Sequence, residues 1–173
     1  GIVAFQPKLA IKDQDRPDEI RARNGLVLKG VIAYDHPDEI LESLRNRKAK
    51  NIFLDEIQFN DRAPDFNEAF KRVVRTLIAK EYSLYWAGLP RDFLGEPFEI
   101  VVWMLGVTCT DTAHILQAEC DNCGRTPADL PQRLRNGCPV SRNDPRFITD
   151  SKSNQAIGLT YEARCSRCHQ IAE

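Results

Sequence analysis

Four cysteines form two Cys-x-x-Cys pairs, Cys120–Cys123 and Cys165–Cys168. Two residues between thiolates suit a metal knuckle, and Zn²⁺ prefers four such ligands in a tetrahedron. A closed set of four cysteines leaves no open position, so this ion would be structural, and a segment with little apolar core would draw much of its folding free energy from it. Redox dithiols, or disulfides in a secreted protein, are the alternatives.

Two carboxylates follow a short apolar run, Asn51-Ile52-Phe53-Leu54, which predicts a buried strand. Asp55 and Glu56 would then lie at the carboxyl edge of a sheet, where α/β folds bind ligands. An apolar strand that ends in Asp-Glu has the form of a Walker B element, whose Asp orients Mg²⁺ while the neighbouring Glu can act as a general base. Capping of a following helix is the simpler explanation for such acids.

A loop from Ala87 to Phe98 carries two glycines, two prolines and two phenylalanines after a predicted strand. One interpretation is an aromatic-lined pocket for a nucleobase. The other is a turn whose phenylalanines pack into the core.

The elements around these residues predict an α/β domain with a mostly parallel sheet, because strands and helices alternate along the chain. Apolar periodicity fades after residue 117, so we expect an α/β domain at 1–117 and a small metal-held domain with a long loop at 118–173. The predicted strands are 1–8, 26–33, 51–54, 82–89 and 107–117, and the predicted helices begin near His36, Phe66 and Ile100.

Composition narrows the function classes. The formal net charge is −1, from 24 Lys and Arg against 25 Asp and Glu, which argues against non-specific nucleic-acid binding. No apolar run approaches the ~20 residues that span a bilayer, and the first residues do not resemble a signal peptide. We therefore expect a soluble, intracellular protein without a membrane partner.

The motifs together resemble the type II thymidine kinase family, over residues 3–169. The resemblance is carried by FLDEIQF (Phe53–Phe59), AGLPRDFLGEPF (Ala87–Phe98) and the two cysteine pairs, with Tyr161 shortly before the second pair. It implies a P-loop-type ATP-binding α/β domain and a zinc-ribbon-like domain whose long loop, the lasso, closes over the substrate. The implied reaction is phosphoryl transfer from ATP to the 5′-hydroxyl of thymidine, in a cytoplasmic homotetramer.

The same resemblance assigns residues to roles. Glu56 would be the catalytic base, and Asp55 and Gln58 would lie on the side of ATP and its Mg²⁺. A structural zinc ion would be held by Cys120, Cys123, Cys165 and Cys168. The residues expected around the nucleoside are Phe59, Leu89, Phe93 and Phe98, with Ile157, Gly158 and Tyr161 from the lasso.

One departure from the family is that the 173 residues contain no Gly-x-x-x-x-Gly-Lys-Ser/Thr motif. That loop cradles the ATP phosphates. We expect the intact protein to carry a first strand, this loop and a helix before Gly1, and the strands that remain to leave a gap where that strand belongs. A non-catalytic nucleoside-binding relative or scaffold is the alternative. A zinc-ribbon nucleic-acid module is a third possibility. It is disfavoured because the basic excess after residue 117 is only slight and the aromatic residues there are too few for base stacking.

Overall fold

The computed structural model describes residues 1–11, 16–22, 25–108, 113–148 and 158–173. The chain divides into two units, Gly1–Leu89 and Pro90–Glu173. The boundary expected after residue 117 lies within the second unit and stays a prediction. Among the described helices, none has the length and apolar character needed to cross a bilayer.

A four-stranded parallel sheet organises the first unit. Its order is β4-β1-β5-β6, and β2 and β3 form a separate antiparallel pair. The region expected as one strand over 26–33 divides into two, because Gly30 has a φ of 78°, which breaks an extended chain. The strands are β1 Ile2–Pro7, β2 Glu19–Arg21, β3 Val27–Lys29, β4 Ile32–Tyr34, β5 Asn51–Leu54 and β6 Ser83–Trp86.

The expected gap in the sheet is wrong for these four strands. β1 pairs with β4 on one side and with β5 on the other, and β5 pairs with β6. Each strand is therefore hydrogen-bonded directly to the next. The order of the strands along the chain does not determine which strands lie side by side in the sheet, so a missing first strand need not leave a gap among the others.

The main helix of the first unit, α2 (Pro64–Ala79), confirms the helix predicted to begin near Phe66. Pro64 occupies its first turn, where a missing N–H costs nothing. Its buried face includes Phe70, Val73 and Leu77, all fully buried with Phe5 and Ile52 of the sheet. A shorter helix, α1 (Asp38–Leu44), precedes β5, and a 3₁₀ helix (Ile57–Arg62) joins β5 to α2.

The described part of the second unit contains one helix and a small antiparallel sheet. The helix α3 (Glu99–Val107) confirms the helix predicted from Ile100. The strands β7 (Leu130–Arg135), β8 (Cys138–Pro139) and β9 (Leu159–Arg164) have the order β8-β7-β9. Asn136 and Gly137 turn β7 into β8 with φ values of 52° and 79°, which are typical of a tight hairpin.

The strand predicted over 107–117 is wrong in its described part. Val107 belongs to α3, and residues 113–117 have no regular secondary structure. Ile115 and Leu116 are 83% and 91% exposed, so no sheet surface covers the apolar residues that suggested a strand. A short apolar run does not by itself distinguish a helix, a strand and a loop.

Candidate functional site

The two predicted carboxylates follow β5 at the carboxyl edge of the parallel sheet. The Asp55 N–H donates to the Phe5 carbonyl at 2.9 Å, so pairing with β1 continues one residue beyond the strand. Burial, and to a smaller extent the adjacent Glu56 carboxylate, raise the pKa of Asp55 to about 6, against a backbone N–H that lowers it. A partly buried carboxylate at this edge of the sheet can bind a cation.

The Glu56 backbone is left-handed, with φ 49° and ψ 43°. Such a conformation in a residue other than glycine costs on the order of 1–3 kcal/mol and persists only where neighbouring contacts impose it. Two hydrogen bonds impose it here. The Ile57 N–H donates to the Ala87 carbonyl at 3.1 Å, and the Phe59 N–H donates to the Glu56 carbonyl at 3.2 Å.

Gln58 is buried beside Glu56, with 3% of its surface exposed. Its Nε2 donates to Oε2 of Glu56, and its Oε1 accepts the Leu89 N–H at 3.1 Å. Gly88 permits this approach, because a Cβ there would lie 2.9 Å from Oε1 of Gln58 and 2.8 Å from Cγ1 of Ile57. One amide therefore joins the turn after β5 to the segment after β6.

The residues expected around a nucleoside are divided between the two units. In the first unit, Phe59 is partly buried and Leu89 is about half exposed. In the second unit, Phe93 and Phe98 are buried.

Arginines that sequence reasoning missed cover both phenylalanines of the second unit. The Arg133 guanidinium lies 4.0 Å above the Phe93 ring, and the Arg146 guanidinium lies 4.4 Å above the Phe98 ring. Arg146 also pairs with the buried Asp92 carboxylate at 2.8 Å. Each ring therefore makes a cation–π contact with an arginine, which the positions of the aromatic residues in the sequence do not predict.

Asp144 completes this network. Its two carboxylate oxygens accept hydrogen bonds from Arg133 and Arg135, each at 3.0 Å. Arg133 also donates to the carbonyl of Arg146 at 2.7 Å. The chain at 144–146 is thereby tied to β7 by charge. The spacing of Asp144 and Arg146 on either side of a proline was the only signal in the sequence.

The lasso residues are described in part. Ile157 lies outside the described residues. Gly158 has a φ of 68°, and a Cβ there would lie 2.0 Å from Oδ1 of Asn136, whose N–H donates to the Gly158 carbonyl at 2.9 Å. Tyr161 lies on β9 opposite Arg133 and is 52% exposed.

The four predicted cysteines come together in the second unit. Their sulfur atoms all lie within 4.8 Å of one another, and none of them forms a disulfide. The Asn122 side-chain amide donates to the Cys168 sulfur at 3.3 Å. The set is placed by the two knuckle turns and by a bond from the Asp121 N–H to the Ala163 carbonyl of β9 at 2.9 Å.

The electrostatics of this cysteine cluster favour a thiolate at Cys120 and at Cys165. Burial of the Cys120 sulfur opposes its ionisation, but N–H groups from both knuckles donate to it, and its pKa falls to about 6. The backbone N–H of Arg167 likewise lowers the pKa of Cys165. At Cys123 the Arg125 N–H lowers the pKa, but burial and hydrogen bonds with the other three sulfurs outweigh it and raise the pKa to about 11. Four sulfurs at this separation, with amide donors turned toward them, could bind zinc.

A match to known proteins covers nearly the whole chain. The family model described as "Thymidine kinase" matches residues 4–169. The matched range includes the Asp55-Glu56 pair, the 87–98 loop and all four clustered cysteines.

Proposed function

The chain belongs to the thymidine kinase family, and we propose that it transfers the γ-phosphoryl group of ATP to the 5′-hydroxyl of thymidine, giving dTMP and ADP. The observation that carries this proposal is the Asp55-Glu56 pair at the carboxyl edge of the parallel sheet, with the Glu56 side chain held by Gln58. An acid that could hold Mg²⁺ and a fixed base beside it are two of the protein groups that phosphoryl transfer to an alcohol uses.

In this proposal Glu56 is the general base. It accepts the proton of the 5′-hydroxyl as the hydroxyl oxygen bonds to the γ-phosphorus and the bond from that phosphorus to the ADP oxygen breaks. Asp55 would hold Mg²⁺, which would supply neutralisation of the charge on the phosphates. Most of the rate comes from positioning and charge stabilisation, since little covalent chemistry falls to the protein.

The nucleoside would be held by apolar and main-chain groups. We assign Phe59, Leu89, Phe93 and Phe98 to its surroundings, with Ile157, Gly158 and Tyr161 at the thymine. Leu89 and Tyr161 support this assignment, because they are 49% and 52% exposed and can contact a ligand.

The cysteine cluster would hold a structural zinc ion. Cys120, Cys123, Cys165 and Cys168 supply four ligands, so no position is left for a reacting water. Its role would be to fix the two knuckles at the base of the lasso.

A second candidate is nucleoside binding without phosphoryl transfer. It is favoured by one sequence observation, the lack of a Gly-x-x-x-x-Gly-Lys-Ser/Thr motif within these 173 residues. A protein of this kind would bind thymidine through the same groups and would not bind ATP.

The deciding experiment measures product and binding on the intact protein. With radiolabelled thymidine, Mg²⁺ and ATP, we expect dTMP and an equal amount of ADP. Isothermal titration of thymidine and of ATP, done separately, distinguishes the two candidates. Binding of thymidine without binding of ATP, and without dTMP, would replace the kinase by the second candidate.

The family resemblance also supports a cytoplasmic homotetramer, and light scattering on the purified protein would measure its mass.

A further inference from the structure

We infer that Gln58 is a positioning residue, which holds the Glu56 carboxylate in place through its side-chain amide. This inference rests on the proposed function, because it gives Glu56 the role of base. The resemblance to known kinases suggested that Gln58 contacts the cofactor. Its burial, and the bonds that both of its polar atoms make within the protein, point to the different role.

The orientation of the Gln58 amide follows from the chemistry of its two neighbours. The Leu89 backbone N–H can only donate, so the atom that faces it must be the amide oxygen. The amide nitrogen then faces Glu56, whose carboxylate can accept. Exchange of the two ends would set donor against donor at Leu89. The neighbours therefore select one orientation, in which a donor always faces Glu56.

The position of Gln58 is fixed on several sides. Gly88 lies against its amide oxygen, and a Cβ at that residue would lie 2.9 Å from the oxygen. The next residue in the chain, Leu89, supplies the N–H bond. On the other side, the Ile57 N–H bonds to Ala87 at 3.1 Å. The segment after β6 therefore holds the Gln58 amide in place, and the amide in turn restrains the Glu56 carboxylate.

The consequence for the base is geometric. A glutamate has three rotatable side-chain bonds, and a general base must lie within hydrogen-bond reach of the proton that it removes. The amide holds Oε2 of Glu56 and leaves Oε1 as the oxygen that can take the 5′-hydroxyl proton. A displacement of about 1 Å can lower a rate by ~100-fold. Loss of this bond should therefore lower kcat strongly and change the Kd of thymidine little.

Two substitutions test this in different ways. Gln58→Met removes both hydrogen bonds at similar volume, and Gly88→Ala removes no polar group but places a methyl group against the amide oxygen and Ile57. We expect each to lower kcat by about 10- to 100-fold. The thymidine Kd, from titration calorimetry, should stay within about twofold for both.

Matched controls separate positioning from general damage. Gln132→Met alters an equally buried glutamine, 2% exposed, in the second unit. Gly106→Ala adds a methyl group at a glycine of α3 with no atom within 4 Å of the new Cβ. Both should leave kcat within about twofold. Unchanged kcat in Gln58→Met and Gly88→Ala, or an equal loss in the controls, would overturn the inference.

A double substitution asks whether Gln58 acts through Glu56. In the Glu56→Gln background, Gln58→Met should lower kcat by less than about twofold, because the group that it positions is already gone. A further loss as large as that in the wild-type background would mean that Gln58 acts elsewhere, for example on the cofactor, and would refute a positioning role.

A stability cycle keeps the test separate from the proposed activity. If the wild-type protein makes no dTMP, the kinase proposal fails, but the contact can still be measured by urea unfolding of Gln58→Met, Glu56→Met and the double variant. We expect the two effects on the unfolding equilibrium constant to be coupled by about tenfold, as for a hydrogen bond to a charged group. Independent effects would show that the amide does not hold the glutamate.

Discussion

Glu56 shows how a single residue is prepared for chemistry by its neighbours. Its left-handed backbone places the side chain out of the β5 direction, and Gln58 and Ala87 keep it there. The apolar run before Asp55 predicted that the two acids follow a strand. The sequence could not predict the backbone conformation of Glu56, which depends on the carbonyl of Ala87, 31 residues later in the chain and just after β6.

We predict that Glu56→Gln lowers kcat by about 10²- to 10⁴-fold, the usual contribution of a general base. The amide keeps the shape of the side chain, so thymidine binding should be unchanged. Steady-state kinetics and titration calorimetry on the intact protein measure the two quantities. Glu42→Gln, at an exposed site on α1, is the control, and near-normal turnover in Glu56→Gln would remove Glu56 from the role of base.

Asp55 should make stability depend on pH. Its pKa in the folded protein is raised to about 6 from a usual value of 3.8, mainly by burial, so the folded state binds the proton more tightly than the unfolded chain. Stability is therefore lost as the pH rises from about 4 to 6. Without Mg²⁺, Asp55→Asn should raise the free energy of unfolding at pH 7 by about 1 kcal/mol, an amount reduced for solvent screening, and by nothing below about pH 4.

Urea unfolding at pH 7 and at pH 3.5 measures this difference. Asp18→Asn, at an exposed residue, should change neither value. An Asp55→Asn variant that is less stable than wild type at pH 7 would contradict the burial argument.

At the scale of elements, prediction succeeded where one residue pattern dominated. α2 was predicted because its apolar residues recur at helical spacing, and β5 because three apolar residues, Ile52, Phe53 and Leu54, precede two acids. The segment at 107–117 failed because its apolar residues could equally belong to a helix end or a loop. The boundary between β3 and β4 depends on the positive φ of Gly30. A glycine permits such a φ but does not require it, so the sequence did not predict the boundary.

The junction of β7 and β9 depends on Gly158. We expect Gly158→Ala to lower the free energy of unfolding by more than Gly137→Ala, although both glycines have positive φ. Alanine at 137 meets open space and adds only backbone strain, about 1–2 kcal/mol. Alanine at 158 adds contact with Asn136 as well. Thermal unfolding of the two variants compares them, and equal losses would show that Asn136 moves aside freely.

At the scale of the whole molecule, the two units differ in what a metal ion could add to them. The first has a core of large buried side chains such as Phe5, Phe70 and Ile52. The second also buries apolar side chains such as Ile100 and Met104, and it has a separate small cluster around Cys120, Ala128 and Cys165. The spacing of the cysteines was enough to predict this cluster, since two short turns can bring four sulfurs together. The arginine network on Phe93 and Phe98 was not predictable, because it joins residues far apart in sequence.

We predict one zinc ion per chain and a local response to its removal. Chelation should reduce hydrogen-exchange protection at residues 120–125 and 163–168 and leave β1 and β5 protected, because the core of the first unit contains none of the four cysteines. Mass spectrometry measures both metal content and exchange. Cys165→Ser should reproduce the loss without chelator, while Cys138→Ser, outside the cluster, should retain the metal. Full protection of the knuckles after chelation would refute a folding role for the ion.

His169 follows the last clustered cysteine, and its Nε2 lies 2.9 Å from the carbonyl oxygen of Phe93. The knuckle and a proposed wall of the nucleoside pocket therefore share one contact. If the metal orders this contact and the nucleoside uses it, each ligand must strengthen the binding of the other by the same factor, since such coupling is reciprocal. Scarcity of zinc would then weaken capture of the nucleoside, and abundant nucleoside would slow escape of the metal.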